Sequence, residues 1–167
     1  MKIEDRSIFY FPYSTSIFHF LSSIVNFRIK YMEHKPIIFV QKIIKPWGYE
    51  MILTPPESPT VAKIIHISQG CRFSLQYHEI KQETLVLVTG EAYLIYGPDK
   101  NNLDRIPMDW NKGYFIPKGL VHRCEAVKDC DIFESSTKEL GKTIRLEDDY
   151  SRGDETEEER KLIQSSK

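Results

Sequence analysis

Between Pro36 and Glu147 the chain alternates short apolar runs with clusters of turn-forming residues. The runs read IIFV, YEMIL, VAKIIHI, TLVLV, AYLIY, GYFIP and CDIFE, rich in β-branched and aromatic residues. Between them stand TPPESP, SQG, TG, GPDKNN, NKG and PKG, each carrying glycine or proline. From Val40 to Arg145 no stretch sustains a helical period. Many short strands at near-even spacing predict an all-β sandwich or barrel. There is no internal repeat and no phosphate-binding glycine loop.

The two ends depart from this pattern. A chain of 167 residues is one domain with some excess. The early stretch SIFYFPYSTSIFHFLSSIVNF is apolar but broken by Pro12, His19 and serines, so it lacks the run of about 18 residues that a spanning helix needs. Glu4 and Asp5 spoil the basic start of a signal peptide. Three readings stay open for residues 1–31: a dispensable extension ahead of a start at Met32, an extra element covering the barrel, or a membrane or export signal. The main domain is expected over 32–152. Residues 153–167 read as a charged tail, in which Thr156 and Glu159 have capping-box spacing and Leu162 and Ile163 are the large apolar residues.

Charge and cysteines narrow the class. A net charge of −1 predicts no general attraction to nucleic acid or to an anionic membrane. Three cysteines, Cys71, Cys124 and Cys130, form no CxxC pair, and their odd number fits a reducing, cytoplasmic setting.

The candidate chemistry lies in SLQYHEIKQETLVLV. Alternate residues of a strand share a face, so Gln76 and His78 point the same way. Burying both unpaired inside a barrel would cost several kcal/mol, whereas a bound metal ion satisfies both. Glu83 stands across a short turn and can aim at the same point. Downstream, Pro117 and Gly119 make a turn and His122 follows on a strand. Two nitrogen and two oxygen donors suit Zn, Fe, Mn, Ni or Co.

These spacings resemble the two motifs of the cupin superfamily. Gly70, Gln76, His78, Glu83 and Gly90 fall on the first motif, with Gln76 where a histidine is usual. Pro117, Gly119 and His122 fall on the second, with Asn111 and Ala126 replacing its first glycine and last asparagine. SLQYH is similar to the metal segment of mannose-6-phosphate isomerases. KPWGYE from Lys45 resembles the opening of the cupin domain of type II phosphomannose isomerases, and RLEDDYSR from Arg145 its close, with Ser151 in place of glycine. The resemblance spans Lys42 to Arg152 and implies a double-stranded β-helix, or jelly-roll barrel, and a small freestanding cupin.

The resemblance also implies roles. Gln76, His78, Glu83 and His122 would hold one divalent ion, zinc first among the candidates. Glu83 and Lys81 are the candidate catalytic groups, and Ser74, Lys81 and Arg145 the candidate phosphate-binding groups. The reaction implied is aldose–ketose interconversion of mannose 6-phosphate and fructose 6-phosphate. Leu85, Leu87, Phe115 and Ile116 are expected to wall the site from water. His66 is expected in packing or behind the ligands, Cys124 on the face of His122, and Trp47 and Tyr49 in packing or as sugar platforms. Arg72 and Arg123 are further cations for a phosphate, and EDDY is expected to pair with arginines. Two other classes stay open: a non-catalytic metal cupin that binds a sugar, and a metal-dependent oxygenase. KPIIFVQKIIKPW offers an edge strand for a homodimer.

Overall fold

The computed structural model describes residues 36–154 and 156. The extension 1–31, the start at Met32 and the capped tail helix lie outside the described residues. The described strands are β1 (Gln41–Lys45), β2 (Gly48–Ile52), β3 (Thr60–Ile67), β4 (Leu75–His78), β5 (Glu83–Asp99), β6 (Asn102–Pro107), β7 (Gly113–Ile116), β8 (Val121–Thr137) and β9 (Thr143–Glu147). All nine belong to the unit Ile38–Lys167. No helix occurs among the described residues.

Two long strands organise this unit. β5 and β8 run antiparallel, and each bends midway, so its halves serve two layers. The first half of β5 and the second half of β8 sit in the layer β1-β2-β3-β8-β5-β7. Their other halves join β9, β4 and β6. The antiparallel sheet thereby curls into the expected jelly-roll barrel.

The bend corrects one reading. Thr89–Gly90 was expected to reverse the chain, yet β5 continues through it with register shifts between Leu87 and Ala92. Gly90 has φ +78, and a Cβ there would lie 2.1 Å from the Asp129 carbonyl oxygen. Glycine allows the two long strands to touch at the bulge. A second correction concerns IIFV, residues 37–40, which is not a strand. Its ladder ends where Gln41 faces Ile52, because β2 gives way to the Pro55–Pro56 turn and offers nothing to pair.

Strict alternation decides what faces inward. Gln41, Ile43 and Lys45 of β1, Glu50 and Ile52 of β2, and Lys63 and Ile65 of β3 line one cavity. Leu85, Leu87, Cys130 and Ile132 continue the buried face without exposure. Leu85, Leu87 and Ile116 are buried, Leu85 alone of them lining the cavity, but Phe115 is 60% exposed. Glu83 pairs with Ile116 and Thr84 with Phe115, so the register turns Ile116 in and Phe115 out.

Asn111 (φ 59) and Ser151 (φ 58) adopt the left-handed backbone conformation. Both stand where the cupin resemblance expects glycine. The left-handed region costs a non-glycine residue about 1–2 kcal/mol, while glycine gives up about 0.5–1 kcal/mol in unfolded-chain entropy. Ser151→Gly should therefore stabilise the chain by up to about 1 kcal/mol, and Asn111→Gly by less, since asparagine tolerates this region. Urea unfolding midpoints test this; a lower midpoint for Ser151→Gly would refute it.

Candidate metal centre

The site forms where β4, the start of β5 and the start of β8 meet. Gln76 of β4 pairs directly with His122 of β8. The turn before β8 is held by Gly119 N–H donating to the His78 carbonyl at 2.9 Å, which ties both histidine segments together. His78, Glu83 and His122 are all buried, and one ligand atom from each lies within 4.8 Å of the others.

The ring orientations are fixed from behind. His122 Nδ1 lies 3.0 Å from the Leu120 carbonyl, which can only accept, so this nitrogen carries the proton. Its Nε2 then presents a lone pair 2.8 Å from Glu83 Oε1. His78 Nδ1 lies 2.6 Å from Glu139 Oε2 and 3.2 Å from Thr143 Oγ1, so its Nε2 presents a lone pair too, 3.7 Å from the same Glu83 oxygen. Both Nε2 atoms are buried without a well-directed hydrogen bond. Two imine nitrogens and a carboxylate oxygen facing one point are acceptors meeting acceptors, and a cation resolves that conflict. The residues therefore fit a divalent ion.

The electrostatics agree. Burial alone would lower the His78 pKa, but the contacts with Glu139 and Glu83 outweigh it and raise it. Burial would raise that of Glu83, yet the Lys81 ammonium holds its carboxyl well below the usual range. The point between them is built for positive charge. Gln76 lines the same cavity, and its Oε1 accepts from Ser74 Oγ at 2.7 Å while keeping a second lone pair.

The cavity above has a volume of about 390 Å³, enough for a small molecule and too small for a folded partner. Ser74, Gln76, His78, Lys81, Glu83 and Arg145 all line it, so the structure brings together the sequence candidates, with His122 buried behind. Arg145 donates its backbone N–H to Asp154 at 2.8 Å and its guanidinium to the Gly153 carbonyl. Six lysine and arginine side chains and four glutamates line the walls; Lys45, Lys63 and Lys81 pair with Glu50, Glu134 and Glu83, and Arg152 with Asp148.

Other candidates sit elsewhere. His66 faces the outside of β3, stacked on Tyr49 at 4.6 Å and bonded to Asp131 at 2.8 Å, so neither His66 nor Tyr49 supports the site. Trp47 lines the cavity. Cys124 is buried against Met108 Sδ at 3.8 Å, and burial raises its thiol pKa well above normal. Arg72 pairs with Asp149 at 2.7 Å and Arg152 with Asp148 at 2.6 Å, the arginine pairing expected of EDDY. Arg123 reaches the Glu147 carbonyl at 3.1 Å, and neither Arg72 nor Arg123 lines the cavity.

Sequence reasoning missed three carboxylates. Glu139, in the loop before β9, holds His78 from behind. Glu50 and Glu134 belong to a file of alternating charges along the cavity wall. It runs from Lys45 to Glu50 (3.7 Å), Lys63 (3.5 Å), Glu134 (3.0 Å), Lys81 (2.7 Å) and Glu83 (2.5 Å). Period-two counting along β3 and β8 signals only that Lys63 and Glu134 share a face with isoleucines.

The profile of the family described as mannose-6-phosphate isomerase C-terminal matches residues 21–149, more than half of the chain. The chain belongs to this family. Its isomerase-like cupin domain also resembles solved cupins. CapF, a capsular polysaccharide assembling protein from Staphylococcus aureus, aligns with TM-score 0.50 and 14% identity over 72% of this chain and 33% of its own. Oxalate decarboxylase from Bacillus subtilis, in a structure concerned with its Mn(II) centres, gives 0.56 and 16% over 66% and 32%. The family member described here thus spans about a third of either protein, and at these identities the likeness is one of fold. No curated protein matches the chain.

Proposed function

We propose that this chain is a metal-dependent aldose–ketose isomerase acting on a sugar phosphate, with mannose 6-phosphate and fructose 6-phosphate as its pair. The observation that carries the reading is the pair of buried Nε2 atoms of His78 and His122 facing one oxygen of Glu83 beneath a cavity that Ser74, Lys81 and Arg145 line. His78, His122, Glu83 and Gln76 would hold the ion, zinc first among Zn, Fe, Mn, Ni and Co. When bound, the metal supplies Lewis-acid polarisation of substrate oxygens. Ser74 and Arg145 would bind the phosphorylated sugar, with Lys81 on the same wall between Glu83 and Glu134, and Trp47 Nε1, buried and without a partner, is a further donor there. Glu83, with Lys81 2.5 Å from its Oε2, is the candidate to carry the proton that moves between neighbouring carbons. Leu85, fully buried, and Trp47 and Phe73, nearly so, keep water from the cavity floor.

The test is NMR-monitored isomerisation of several sugar phosphates by metal-replete protein. Turnover of the mannose/fructose 6-phosphate pair, abolished by chelation, is expected, with free mannose a poorer substrate. Ser74→Ala should raise KM more than it lowers kcat. Saturable binding without turnover would replace the reading with a sugar-binding cupin. The set of two histidines and one carboxylate also suits iron and dioxygen, so substrate-dependent oxygen uptake would move it to an oxygenase.

A further inference from the structure

Glu83 has two oxygens, and the fold treats them differently. Oε1 faces His122 Nε2 and His78 Nε2, while Oε2 is 2.5 Å from Lys81 Nζ. Lys81 is itself held from the far side by Glu134 Oε1 at 2.7 Å. Glu134 in turn accepts from Ser136 Oγ at 2.7 Å and pairs through Oε2 with Lys63 at 3.0 Å. Glu83, Lys81 and Glu134 are all buried. The strand register fixes the chain of contacts, because Glu134 lies between Lys63 of β3 and Leu85 of β5, and Ser136 beside Glu83.

Buried ion pairs are poor stabilisers, since desolvation offsets most of their attraction and apolar residues of like volume do as well. This triad therefore calls for a use. Resting on the metal-site reading above, we propose that Lys81, anchored by Glu134, is a positioning residue that reserves Oε2 of Glu83. The carboxylate can then give a metal ion only Oε1. An ammonium at Oε2 both occupies the lone pair that bidentate chelation needs and repels a second cation there. A coordination position is thereby kept for a substrate oxygen instead of being filled by the protein.

Co(II) loaded into the full chain without substrate reports this directly, since its visible absorption bands weaken as coordination number rises. Lys81→Met should let Glu83 chelate through both oxygens, so the bands weaken and the Co(II) Kd falls about tenfold or more, comparable in size to other effects of groups behind the ligands. Lys81→Arg keeps the cation and should keep the wild-type spectrum. If Lys81→Met fails to fold with Glu134 left unpaired, the double variant Lys81→Met/Glu134→Gln removes the pair together and should show the same spectrum and tighter binding. A structural role alone predicts weaker binding and an unchanged spectrum. Wild-type uptake of Co(II) with variants of unchanged spectrum, or with weaker binding, overturns this inference alone. A wild-type chain that takes up no Co(II) overturns the metal reading and this inference with it.

Discussion

Replacing His122 with alanine is expected to strip the divalent ion from the protein. Its Nε2 is fully buried, has no well-directed hydrogen bond and lies 2.8 Å from Glu83 Oε1. Losing a contact that only orients a ligand weakens metal binding roughly 10–100-fold, so losing the ligand itself should exceed the upper end of that range. His78→Ala should behave alike. Glu139→Ala removes the carboxylate 2.6 Å behind His78 and should fall within the 10–100-fold range. His66→Ala should leave affinity unchanged, because that ring lies on the outer face with Tyr49 and Asp131. The measurement is metal content and affinity of protein purified without a nickel column, with circular dichroism to confirm folding. Wild type should carry about one ion per chain. Stoichiometric metal in a folded His78→Ala/His122→Ala double variant would sink the site.

Much of this was legible in the sequence, and the failures have physical causes. Runs in β2, β3, β5, β7 and β8 show themselves by β-branched and aromatic residues, with a period-two trace where one face is buried, as in Leu85 and Leu87 or Cys130 and Ile132, while β6 and β9 lie outside every such run. The Thr89–Gly90 dipeptide misleads because glycine serves both turns and bulges, and only the partner strand decides between them. IIFV misleads because strand propensity is empty without a ladder partner. The donor set at His78, Glu83 and His122 was legible because strand alternation and the Pro117–Gly119 turn fix direction locally. Glu139 and Glu134 were not, since their roles depend on which segments the curled sheet brings together. Lys63 hid in VAKIIHI, where Ile64 and Ile65 point opposite ways and the inward face cannot be read. The same ambiguity concealed that His66 points outward.

Glu50→Gln is expected to destabilise the chain strongly at neutral pH and much less in acid. Glu50 lies on the inward face of β2, largely buried, between Lys63 (3.5 Å) and Lys45 (3.7 Å). Burial alone would raise its pKa, but the attraction of Lys63, Lys45 and Lys81 overrides this and lowers it to about 2. A folded-state pKa below the unfolded value means that the unfolded chain takes up the proton first as pH falls. The stability that Glu50 contributes is thus complete well above the usual value near 4.5 and is lost as pH drops through 4.5 toward 2. A shift of this size corresponds to about 3 kcal/mol at pH 7, of which about 2 kcal/mol should be gone by pH 3. Glu50→Gln keeps the shape and removes the titration. Its unfolding free energy in urea should fall short of wild type by about 3 kcal/mol at pH 7 and by about 1 kcal/mol at pH 3, so its acid limb is flatter. That deficit is the attraction of Lys63 and Lys45 for the Glu50 charge, net of burial, and Lys63 keeps Glu134 at 3.0 Å in the variant. A deficit that stays constant from pH 7 to pH 3 would show that Glu50 acts through packing and not through its charge.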